Sequence, residues 1–169
     1  MCCIFWKGWG ESLKKDNIRD YATEAFRFYA ACGRLTAAQL EQIVRDRIYE
    51  QSKREYRRGG LGMHTDATAY AVMRAEDAVR EMQAEFEDIL AVERTLKRLT
   101  YAQRRAVELV YFAEPKRELE RNDISDRVHQ AELAIPASER SIYGWLARAR
   151  RIFAEERGLR LQRSGGSRK

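Results

Sequence analysis

The chain has 169 residues, 44% hydrophobic and 34% charged, with a formal net charge of +6. That size and apolar content support a buried core without disulfides, and exclude a disordered chain or a disulfide-framed miniprotein. Three cysteines without framework spacing predict a reduced, cytoplasmic protein, and the apolar start MCCIFWKGWG is too short for a signal peptide or a bilayer span.

Few prolines and glycines, with abundant Ala, Glu, Arg and Leu, favour helix nearly throughout, and no alternating run reads as a strand. The expected fold class is all-α. An N-terminal helical region covers 1–65, a long helical arm 66–99, a helix-turn-helix domain 100–160, and a basic disordered tail 161–169.

In chain order, DNIRDYATEAFRFYAACG predicts a helix started by Asp16 or Asn17 and ended by Gly33. Its expected inner face is Ile18, Tyr21, Ala22, Ala25, Phe28, Tyr29 and Cys32. Thr36 opens a second helix with Leu40, Ile43, Val44 and Ile48 on one side. The following KREYRRGGLGMHTD lacks the Lys-Ser/Thr pair of a phosphate-binding loop and has no strand before it, so it reads as a flexible connector with His64 exposed. Asp66 or Thr68 then starts a helix to about Leu99. Val72, Ala75, Val79, Met82, Phe86, Ile89 and Leu96 mark a heptad seam interrupted at Glu93. That seam packs either on the earlier helices or on a second copy of the chain.

Thr100 caps YAQRRAVELVYF, apolar at Ala102, Ala106, Leu109, Val110 and Phe112 and limited by Pro115. Asn122 or Asp123 opens ISDRVHQAEL, with Ile124, Val128 and Leu133 expected inward. Ile135-Pro136 stops it, because a residue before proline is pushed out of helical geometry. Ser138 caps the last helix, whose buried stripe runs through Ile142, Trp145 or Leu146, Ala149, and Ile152 or Phe153 to a stop at Gly158.

The location of the charge separates this last helix from the rest. Residues 1–137 hold 23 Lys/Arg and 23 Asp/Glu, whereas residues 138–169 hold 9 Lys/Arg against 3 Asp/Glu. A basic excess confined to one end is the electrostatic footprint of a nucleic-acid contact. Three short helices ending in a basic one predict a helix-turn-helix, with the last helix in the major groove. The expected DNA-binding residues are Ser138, Arg140, Ser141, Tyr143, Gly144, Arg148, Arg150 and Arg151. Arg140, Ser141 and Tyr143 sit where base edges are read, and Arg148, Arg150 and Arg151 where phosphates are met. Gly144 and Ala147 are small enough for close backbone approach, although a glycine here is equally explained by packing against a neighbouring helix. Glu139 accepts from a cytosine amino group or favours the helix N-terminus, the second being the simpler role.

The segment DISDRVHQAELAIPASERSIYGWLARARRIFAEERGL resembles the C-terminal helix-turn-helix of RinA/ArpU-like phage and prophage transcriptional regulators, which itself resembles region 4 of bacterial sigma-70 factors. Val128 stands at the apolar position of the supporting helix. Ser138, Ser141 and Ile142 stand at the start of the recognition helix, and Leu146, Ala149 and Arg150 at its continuation. The layout from IRDYATEAFRFYA to VERTLKRL is similar to small prophage-associated regulators. Val128 and Ile142 lie fourteen residues apart, a longer spacing than in the sigma-like pattern, and the supporting glycine is absent. The resemblance implies a bacterial cytoplasmic protein, at the nucleoid when bound, that regulates transcription from double-stranded DNA. The expected partners are duplex DNA, RNA polymerase, and a second copy through 66–99, with no membrane.

No enzyme is expected. Nothing resembles a Ser/His/Asp or Cys/His arrangement, and the acidic residues alternate with basic ones at helical spacing. Cys2, Cys3, Cys32 and His64 contain no C-x-x-C pair, so neither metal nor cofactor is expected. The rival reading is a helical adaptor that binds a protein partner through the arm and does not bind DNA.

Overall fold

A computed structural model describes residues 17–58 and 66–159. The apolar start with Cys2 and Cys3, the glycine-rich connector with His64, and the basic tail lie outside the described residues. Among the described residues the chain is all-helical: α1 Asn17–Ala31, α2 Ala37–Arg58, α3 Ala67–Glu81, α4 Gln83–Arg98, α5 Tyr101–Tyr111, α6 Asp123–Ala134 and α7 Glu139–Glu156. None of these helices is long and apolar enough to cross a membrane.

The helix ends follow local chemistry. Thr36 and Gln39 exchange side-chain and backbone hydrogen bonds of 2.9 and 3.2 Å before α2, and Thr100 and Gln103 repeat this capping box before α5. At the end of α1, Gly33 (φ +77°) lets its own N–H reach the Ala30 carbonyl and that of Arg34 the Tyr29 carbonyl. Gly158 (φ +73°) closes α7 the same way, with Leu159 N–H on the Ala154 carbonyl at 2.8 Å. The expected cap before α6 takes another form. Asn122 is left-handed (φ +78°) with no side-chain cap bond, and the Asp123 carboxylate turns back to the Glu120 N–H at 2.9 Å.

One core joins α1, α4, α5, α6 and α7, crossing the organisational boundary expected near residue 99. Phe26 lies at its centre, stacked on Tyr111 with centroids 5.5 Å apart and tilted against Phe153 at 5.8 Å. The inner face of α1 is therefore centred on Ala22, Ala25 and Phe26, while Phe28 is only half-buried. Val107 and Tyr111 are likewise fully buried, because α5 is covered on two sides by α6 and α7.

The long helix expected over 66–99 bends at Met82 (φ −95°, ψ 13°), which separates α3 from α4. The hydrogen-bond ladder runs across the bend, from Met82 N–H to Ala78 O and from Phe86 N–H to Met82 O, each 3.2 Å. Its two halves are placed differently: α3 packs mainly on α2, whereas α4 packs on α7, α1 and α2, so that only α4 reaches the central core. The heptad seam divides accordingly. Ala75, Val79, Phe86 and Ile89 are buried inside the chain, Ala71 replaces Val72 on the α3 seam, and Val72 is 48% exposed. The α2–α3 pair is thinly buried, with Ile43 and Met73 exposed and Ser52 the deepest residue described in α2.

Polar groups tie the elements together. The Asp88 carboxylate on α4 accepts from the Tyr21 hydroxyl at 2.7–2.8 Å and from Arg157 Nε at 2.7 Å, joining α1, α4 and the end of α7. Burial, then the Asp88 hydrogen bond and charge, push the Tyr21 phenol up to about 12. The buried Arg27 donates to the Pro115 and Arg117 carbonyls and so pins the connector between α5 and α6, while the buried Arg127 donates to the Val110 carbonyl in the last turn of α5.

Candidate nucleic-acid interface

Helix α7 is positioned from both ends. At its start, Ile135 is extended (φ −127°, ψ 135°), as a residue before proline must be, and the four residues 135–138 turn the chain from α6 into α7. Ser138 Oγ then accepts from Ser141 N–H at 3.4 Å, and the Ser138 and Ser141 hydroxyls lie 3.1 Å apart. These two expected site residues are thus already engaged in starting the helix, although both remain exposed. At its far end Arg157 holds Glu87 at 2.8 Å as well as Asp88.

Between those anchors one side of α7 is buried: Ile142, Leu146, Ala149 and Phe153 are each fully covered. At 3.6 residues per turn, Arg140, Gly144, Ala147 and Arg151 fall within an arc of about 60° on the opposite side. All four are exposed, with Tyr143 and the exposed Arg148 flanking the arc. The face therefore carries an arginine near each end and two small residues between them. Arg140, Arg148 and Arg151 make no ion pair or side-chain hydrogen bond with any described residue. Elsewhere some guanidiniums are matched, as in Arg45 with Glu41 at 2.8 Å and Arg98 with Glu156 at 2.7 Å, whereas others, such as Arg47, Arg74 and Arg94, also have no partner among the described residues.

Outside its own helix backbone and chain neighbours, Gly144 has no atom of the described residues within 4 Å of the position a Cβ would take. Packing against a neighbouring helix of the same chain therefore does not explain this glycine. It leaves a notch of bare backbone on the outer face.

Arg150 stands apart from the other expected phosphate contacts. It is half-buried, and its guanidinium donates to the hydroxyl of the fully buried Tyr111. Spacing alone placed it beside Arg148 and Arg151, yet it projects on the flank where α7 meets α5. Leu133, expected inward, is 81% exposed, because the inner face of α6 is made by Val128 and Ala131.

A further group forms at the α6–α7 turn that the sequence reading did not anticipate. His129 Nδ1 and Glu139 Oε1 are 3.0 Å apart, and Glu132 Oε1 accepts from the Glu139 N–H at 3.2 Å. The available signal was the three-residue step from His129 to Glu132, one turn of a single helix face. Glu139 joins them only because the turn reverses the chain. It thus interacts with its own protein at the helix N-terminus, where a carboxylate is favoured.

Compared with family models, curated proteins and solved structures, the chain matches none.

Proposed function

We propose that the protein is a sequence-specific, double-stranded DNA-binding transcriptional regulator of phage or prophage type, with α5–α7 as a helix-turn-helix and α7 in the major groove. The observation that carries this reading is the outer face of α7. Its exposed Arg140, Arg148 and Arg151 have no partner among the described residues, and its backbone is bared at Gly144. An arginine without an internal counter-charge is free to release counterions from a phosphate backbone, and a bare backbone lets the helix sit deep against base edges. The four-residue turn between α6 and α7 has the length such motifs use, and the resemblance of this segment to RinA/ArpU-like regulators points the same way.

In this mechanism α6 braces α7 across the DNA backbone, Arg148 and Arg151 meet phosphates, and Arg140, Ser141 and Tyr143 face the bases. Arg150 holds α7 to α5 through Tyr111 and sits outside the phosphate set. A paired protein would read two half-sites. Because Ala75, Val79, Phe86 and Ile89 are spent inside the chain, pairing through 66–99 would use the residues left outside, Val72, Met73 and Leu90. RNA polymerase is the alternative occupant of that surface. The protein acts in the bacterial cytoplasm, at the nucleoid.

Fluorescence anisotropy of a labelled mixed-sequence duplex, across a salt series, tests the reading. The wild type should bind with steep salt dependence. The exposed double variant Arg148→Ala/Arg151→Ala should bind more weakly, with a log–log slope shallower by about 1.8, or 0.9 per lost phosphate contact. Absence of binding by the wild type at about 50 mM salt, where the non-specific term is strong, rejects DNA binding and favours a helical adaptor.

A further inference from the structure

Two glutamates at the α6–α7 turn, Glu132 and Glu139, lie close together, and no arginine or lysine among the described residues pairs with either. His129 and Glu132 are one turn apart on α6, and Glu139 opens α7. One ligand atom from each lies within 4.8 Å of the other two. Several other carboxylates of the chain are held by an arginine. Glu114 has Arg117 at 2.9 Å, Glu108 has Arg105 at 3.3 Å, and Glu87 and Asp88 share Arg157. Among the described residues, the only side-chain partner of either carboxylate at the turn is the His129 imidazole, on Glu139. Two like charges this close repel, more strongly where the protein displaces water, and a cation between them would relieve that repulsion. Hydrogen bonds within the group do not use up its donors: Glu132 caps α7 through one carboxylate oxygen, leaving the other, and His129 contacts Glu139 through Nδ1, leaving Nε2.

We propose that His129, Glu132 and Glu139 form a binding site for a divalent transition-metal ion that clasps α6 to the start of α7. One imidazole nitrogen and two carboxylate oxygens suit Zn²⁺ or Co²⁺, with water in the remaining position, and are too few and too nitrogen-rich for a Ca²⁺ cage. Metal–ligand lengths of about 2.0–2.2 Å require the three groups to close toward one centre. All three side chains reach solvent, so rotamer changes suffice and no core packing moves. The metal would add to the core packing of α6 on α7 a clasp at their joined ends, beside the 135–138 turn, the Glu132 cap and the His129–Glu139 contact. The site does not depend on DNA binding, and neither result decides the other.

The test uses the full-length, tag-free protein, stripped with chelator and titrated with Co²⁺ and then with Zn²⁺. Visible absorption of the bound Co²⁺ and the melting temperature are both followed. Saturable uptake of one Co²⁺ per chain is expected, with its displacement by Zn²⁺ and a rise of several degrees in Tm. In His129→Ala and Glu132→Gln, both changes at the surface, affinity should fall at least tenfold. Cys2, Cys3 and His64 offer an alternative set of donors, and the variants separate the two. If the wild type takes up no Co²⁺ to millimolar concentration, the proposal fails. It fails equally if His129→Ala binds as tightly as the wild type, since the metal is then held elsewhere. Glu139→Gln provides a second check should either α6 variant lower the metal-free Tm.

Discussion

Replacing Asp88 by Asn tests whether the polar junction of α1, α4 and α7 holds the body together. The carboxylate is largely buried and receives two charge-assisted hydrogen bonds, from the Tyr21 hydroxyl at 2.7–2.8 Å and from Arg157 Nε at 2.7 Å. Hydrogen bonds to charged groups are worth about 1.5–3 kcal/mol each. Asparagine keeps the shape and one acceptor, but its amide NH₂ meets a donor where the second oxygen was. Arg157 retains Glu87 at 2.8 Å, so it is not left as an uncompensated buried charge. The expected loss is therefore about 2–3 kcal/mol, below the 3–5 kcal/mol for breaking a fully buried pair. For a chain of this size that corresponds to a fall in Tm of roughly 4–12 °C. Thermal and urea unfolding followed by circular dichroism at pH 7 measure it, with the urea slope expected to stay unchanged.

The same junction makes a pH prediction. The folded pKa of Tyr21, about 12, lies above its ordinary value of 10.0, so its stabilisation is fully present below pH 10 and is lost as pH rises from 10 through 12. Asp88→Asn removes the hydrogen-bond and charge contributions and leaves the larger effect of burial. The alkaline loss should then be smaller and complete at lower pH. A Tm within about 1 °C of wild type, with an unchanged alkaline limb, would refute the reasoning.

Gly144→Ala should raise stability by about 0.4–1 kcal/mol, since a helical, unobstructed glycine gains from a methyl group, while duplex affinity falls if α7 approaches DNA closely. Chemical denaturation and anisotropy on one preparation would reveal that opposition. Arg150→Ala leaves the buried Tyr111 hydroxyl without its guanidinium partner and should cost about 1–3 kcal/mol without changing the salt slope of DNA binding. The comparison with Arg148→Ala, which should change the slope but not Tm, separates the two arginines. Phe26→Ala removes the ring between Tyr111 and Phe153 and should cost about 3–5 kcal/mol, read as loss of near-ultraviolet dichroism and of cooperative melting.

The sequence by itself determined the helical class and nearly every helix boundary, because those depend on interactions a few residues long. Thr36, Thr100 and Ser138 accept from amides three residues on, Gly33 and Gly158 adopt the left-handed conformation that ends a helix, and Pro136 forces Ile135 out of it. The buried stripe of α7 was legible for the same reason: Ile142, Leu146, Ala149 and Phe153 recur at helical spacing, so the opposite face, with Arg140 and Arg151, was legible too. What periodicity cannot supply is the identity of the neighbour. Only tertiary packing decided that the 66–99 helix bends at Met82, because α3 lies along α2 while α4 is shared among α1, α2 and α7. It likewise buried Phe26 in preference to Phe28, left Leu133 outside, and turned Arg150 toward Tyr111. The Asp88 junction and the His129–Glu132–Glu139 group share that origin. Asp88 meets Tyr21 and Arg157 across separations of 67 and 69 residues, and Glu139 reaches His129 only after the chain reverses. A local pattern fixes the direction in which a side chain points along its own helix. Where that direction leads is set by the helix packed against it.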